Sequence, residues 1–189
     1  ATVSARTIYR KYIAALEDST RPGKHENGPS RLTLKQSLRD WNFEFFVRLG
    51  TSDRHKYQVY CNNLDKDSKA FNKRWIKYNY LWDLCWFREG ERRWDLVLTL
   101  EQEFSDSPGN NNHWEWYLND FTKVLLAVQQ CGVFIGKVPP RSKKTAEETV
   151  KDFNQYYTKF GPPDQQTDIL VLMRFGVSLI FHAIIPQSN

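Results

Sequence analysis

Between residues 74 and 95 the chain reads RWIKYNYLWDLCWFREGERRWD, which sets four of its seven tryptophans among arginines and lysines. Indoles at that density must be buried together or displayed for a purpose, so this stretch limits the available folds more than any other. At about 100° per residue, Phe71, Trp75, Tyr78, Trp82 and Trp86 fall on one uncharged arc with Cys85 at its edge. That spacing predicts a central core helix from Ser68 to Glu89 with its tryptophans inward. The other side of the wheel alternates cations and apolar groups. Lys73, Lys77 and Arg88 lie there among Tyr80, Leu81, Leu84 and Phe87, and the basic strip continues past Gly90 into Arg92 and Arg93.

Helical spacing recurs along the chain. Ile8, Tyr12, Ile13 and Leu16 make a first stripe, and Leu34, Leu38, Trp41, Phe45 and Leu49 a second, started by Thr33 and stopped by Gly50. Between them, residues 19–32 are rich in proline, glycine and charge and read as an exposed loop. Residues 52–65 read as a short helix or a strand, and Trp94, Val97, Leu98 and Phe104 suggest a further helix. Another runs from His113 to Gln130, and Thr145 with Glu148 forms a capping box that starts the next. Residues 167–185 are the most apolar in the chain, but they are short for a membrane span and contain Arg174 and His182. As a helix this segment would align Arg174, Ser178 and His182 in one polar row facing solvent.

The fold expected is therefore a mainly α, single-domain multi-helix bundle over residues 1–189 with an aromatic core. The alternative is an α+β fold with a short sheet from 133–138 and 169–185. Cys61, Cys85 and Cys131 fit neither a paired disulfide framework nor a zinc site, which predicts an intracellular protein, cytoplasmic or nuclear, without a membrane anchor.

The net charge is +5, unevenly spread, with residues 96–136 acidic and the rest basic. No phosphate-binding glycine loop, zinc-protease helix or nucleophile elbow is present, so no catalytic residue, metal or cofactor is assigned. Glu101, Glu103 and Asp106, with Glu115 beyond, form an acidic cluster of the kind that holds a divalent ion or does acid–base work. Acidic ends of helices at solvent are commoner, and the cluster is read instead as the acidic partner of a basic patch on another copy. Lys137, Arg141, Lys143 and Lys144 precede the helix start at Thr145, where free N–H groups favour anions.

The function expected is non-catalytic, sequence-nonspecific nucleic-acid binding, mainly of RNA, through Lys73, Lys77, Arg88, Arg92, Arg93, Lys137, Arg141, Lys143 and Lys144. The alternative is a protein-interaction module or homo-oligomer that binds no nucleic acid. Replacing Lys143 and Lys144 with glutamate is expected to weaken binding of every sequence alike and to flatten its salt dependence, as read by titration at two ionic strengths.

Overall fold

A computed structural model of the protein describes residues 3–20, 36–52, 54–61, 75–77, 82–104, 113–127, 129–137, 146–161, 167–175 and 179–186. The elements are α1 (Ala5–Thr20), α2 (Gln36–Thr51), β1 (Gln58–Cys61), β2 (Trp75–Lys77), β3 (Leu84–Glu89), β4 (Trp94–Glu103), α3 (His113–Leu126), β5 (Cys131–Lys137), α4 (Ala146–Phe160), β6 (Asp168–Phe175) and β7 (Leu179–Ile185). The strands form one seven-stranded sheet in the order β2-β1-β3-β4-β5-β6-β7. Strands β4, β5 and β6 are mutually parallel, whereas β3 and β7 run antiparallel to their neighbours on that side.

This mixed sheet replaces the expected mainly α bundle, and the alternative short sheet understated it. Residues 84–89 are a strand and not the end of a helix, and residues 94–103 are its hairpin partner. The physical reason is burial on both faces. In β4 the side chains of Leu98 and Leu100 join one core, while Thr99 and Glu101 point the other way, and all four are buried. A strand covered on both faces reads as a continuous apolar run and lacks the alternation that betrays a half-exposed strand. A helical wheel drawn on such a run finds a stripe whatever the true period.

One core lies between the sheet and the helices α1 and α2, built from Ile8, Tyr12, Trp41, Phe45 and Phe46 against Val59, Leu84, Trp86, Leu98, Val133 and Leu170. The other lies beneath α3 and α4, where Phe121 and Phe153 stack with centroids 4.3 Å apart over Phe134, Ile169 and Val171. Alternate residues of β5 and β6 supply the two cores, as a period of two requires. Trp86 belongs to the core, Trp82 is half-buried, and the side chain of Trp75 lies outside the described residues.

Two details correct the expected roles of single residues. Gly50 lies within the last turn of α2, where a Cβ would sit 2.6 Å from the Trp86 ring, so it permits close approach of helix to sheet. Arg174 is on β6 and wholly buried, while His182 on β7 is exposed and stacked on Tyr9 at 3.7 Å, so the expected polar row does not exist. Residues 19 and 20 close α1, and the rest of the expected loop at 19–32, with Ser178, lies outside the described residues. No described helix is long and apolar enough to cross a membrane. The three cysteines are buried.

Replacing Gly50 with alanine is expected to cost about 1–3 kcal/mol of stability, because the added methyl group collides with Trp86 and Val59. Urea unfolding of the variant beside the parent checks this.

Candidate active site

Folding the 84–103 stretch into a hairpin has a local consequence that a helix would not. Because β3 and β4 are antiparallel, the residue that enters β3 lies beside the residues that leave β4, and Leu84 pairs with Leu100. Asp83 thus lies at the same sheet end as Glu101, Gln102 and Glu103, and the Gln102 N–H donates to Asp83 Oδ2 at 3.0 Å. Helix α3 crosses this end on one face and adds Asp120 and Lys123. Helix α2 adds Arg39 from the other. These residues and Phe104 line a cleft of about 320 Å³.

The charges in the cleft are coupled. Lys123 Nζ lies 2.7 Å from Asp120 Oδ1 and 3.5 Å from Glu101 Oε2, and Arg39 Nη2 lies 3.3 Å from Asp83 Oδ1. Glu101 is only 3% exposed, and its Oε1 has no hydrogen-bond partner among the described residues. Burial, reinforced by the charges of Asp83 and Asp120 and opposed by Lys123 and the Asp83 backbone, pushes its pKa up to about 8. Burial also raises Asp83, against the pull of Arg39 and the Gln102 N–H. Burial works against the Lys123 charge, but the hydrogen bond to Asp120 and the surrounding carboxylates outweigh it and hold its pKa above the ordinary value.

Fully ionised, four carboxylates face two cations, Arg39 and Lys123, which leaves a formal charge of −2. One divalent cation neutralises that charge. Among the described residues no three acidic, histidine or cysteine side chains converge on a ready-made metal cage. Magnesium does not need one, since it commonly takes one or two carboxylates and completes its octahedron with water and substrate phosphate oxygens.

A buried polar chain leads to the cleft at Gln102. Arg174 Nη1 donates to the Tyr12 hydroxyl at 2.8 Å, which donates to Asn42 Oδ1 at 2.5 Å. Asn42 Nδ2 in turn donates to Gln102 Oε1 at 2.9 Å. Gln102 Nε2 reaches the Arg39 carbonyl at 3.4 Å. Four elements, α1, α2, β4 and β6, are thereby registered against one another behind the acidic groups.

The basic residues expected to bind nucleic acid are placed differently. Lys73, Arg141, Lys143 and Lys144 lie outside the described residues, and Lys77 is on β2, described by its backbone alone. Arg88 is half-buried at the far end of β3, where it donates to the Tyr57 hydroxyl at 3.3 Å and lies over that ring. Arg92 and Arg93 are exposed in the β3–β4 turn, and Arg93 Nε lies 3.5 Å from Asp95. Lys137 ends β5, its carbonyl accepting a hydrogen bond from Tyr117. Among the described residues, Lys137 lies at the opposite end of the sheet from Arg88, Arg92 and Arg93.

Of the acidic cluster singled out in the sequence, Glu101 and Glu103 line the cleft, Glu115 is exposed on α3, and Asp106 lies outside the described residues. Asp83, Asp120, Lys123 and Arg39 carry no local signal, because only the hairpin and two separate helices bring them together.

Since the folded protein holds the Glu101 proton more tightly than the unfolded chain does, stability is expected to fall as pH rises from the ordinary carboxylate range to about 8. Glu101→Gln should flatten that fall. Mn²⁺ should raise Tm more at pH 8 than at pH 5.5 in the parent, and little in the variant, as read by thermal melts across pH. Compared with family models, curated proteins and solved structures, the chain shows no significant match.

Proposed function

We propose that the cleft hydrolyses phosphodiester bonds of nucleic acid with the help of a divalent cation. The observation that carries this reading is the buried Glu101 carboxylate, whose Oε1 has no hydrogen-bond partner among the described residues and which lies beside Asp83 in a cleft with more carboxylates than cations. Asp83 and Glu101 would hold the ion, which supplies Lewis-acid activation of a water and of the phosphate. Water would attack phosphorus and pass a proton to solvent, the bond from phosphorus to the leaving oxygen would break, and the leaving oxygen would take up a proton from solvent.

The chain's own residues supply the rest. Lys123, held charged by its carboxylate neighbours, and Arg39, whose Nε has no hydrogen-bond partner among the described residues, place two cations where a phosphate and its developing charge need them. A crevice beyond the carboxyl end of a strand flanked by helices is also where sheets of this kind most often place their ligands. Phosphate contact through the basic residues named from the sequence remains part of the proposal, as binding of the strand away from the cleft. Arg88, Arg92 and Arg93 lie at the opposite end of the β3–β4 hairpin from that cleft.

The test is incubation with labelled single-stranded and duplex DNA and RNA in Mg²⁺, Mn²⁺ or a chelator. Cleavage that needs the ion and drops at least about 100-fold in Glu101→Gln and Asp83→Asn is the expected result. Full turnover in the chelator, or in both variants, overturns the reading.

A further inference from the structure

On α3, Trp116 precedes Asp120 by four residues and Lys123 by seven, so the three lie within one narrow stripe of the helix. The buried stripe of that helix, Tyr117, Phe121, Val124 and Leu125, lies to one side of it. Asp120 and Lys123 line the cleft, and Trp116, one helical turn before Asp120, is 37% exposed. Among the described residues Phe104 is the one apolar side chain on the cleft wall. Core packing thus leaves this indole partly in water, next to a site that is otherwise polar and charged. Among the described residues Trp94 is the other exposed tryptophan, and it is at the hairpin end remote from the cleft.

We propose that Trp116 is a stacking ledge for an unpaired base flanking the phosphate held in the cleft, with Phe104 as the apolar surface inside. The substrate recognised there is a single-stranded or locally unpaired strand. An aromatic face takes any base by stacking but cannot reach one that remains stacked in a duplex. The inference rests on the phosphodiester reading for the position of the phosphate, while its own content is the binding mode.

Binding is therefore measured apart from turnover. A fluorescein-labelled single-stranded oligonucleotide and its blunt duplex are titrated with the protein in Ca²⁺, and cleavage is followed separately in Mg²⁺. Single strand is expected to bind more tightly than duplex. Trp116→Ala should weaken the single strand about 5- to 100-fold and leave the duplex unchanged, and Trp116→Phe should recover most of the loss. In Mg²⁺ the alanine variant should raise KM with little change in kcat, a split that general destabilisation does not produce. The ledge is overturned if Trp116→Ala binds the single strand as the parent does, or if the duplex binds as tightly as the strand. Ion-dependent cleavage that is absent while Trp116→Ala still weakens binding overturns the hydrolytic reading alone.

Discussion

The hydrogen-bonded chain from Arg174 through Tyr12 and Asn42 to Gln102 is the interaction on which the rest of the structure depends. All four side chains are buried, and each comes from a different element. Apolar packing alone would let α1 and α2 slide over the sheet at modest cost, because hydrophobic contact is not directional. Hydrogen bonds in a low-dielectric interior are directional, and a buried donor left without its acceptor costs about 1–3 kcal/mol. Burial pushes the Tyr12 hydroxyl up to about 12 even with the Arg174 guanidinium beside it, so it remains a neutral link in the chain.

The cleft inherits its geometry from that chain. Gln102 points into the helical layer, while its neighbours Glu101 and Glu103 point to the other face, where Glu101 meets Lys123 on α3. Fixing one side chain of a strand fixes the orientation of both neighbours, because successive side chains alternate. The same residue presents its backbone N–H to Asp83. A structural network on one side of the sheet therefore sets the aim of the acidic groups on the other.

The helices α1, α2 and α3 were legible in the sequence, since Ile8, Tyr12 and Leu16, or Phe121, Val124 and Leu125, lie on stripes with polar residues opposite. The strands were not, because the sheet is covered on both faces. LCWFRE and LVLTLE carry too few solvent-facing positions to show a period of two, and only their β-branched and aromatic content hinted at extension. Misreading β3 as helix also hid the cleft. Along a helix from Ser68 to Glu89, Asp83 is one polar residue among several, whereas on a hairpin it lies beside Glu101, eighteen positions away in sequence. Glu101 and Glu103 drew notice as an acidic pair, yet nothing near them in sequence announces Arg39.

The unequal count of charges in the cleft carries a kinetic consequence. A phosphate approaching four carboxylates and two cations meets net repulsion, and a divalent ion removes it. On the hydrolytic reading, ion and substrate then arrive in a compulsory order, ion first. The association rate of the strand would track ion concentration, so the availability of the metal would gate capture of the strand before it influenced bond breaking.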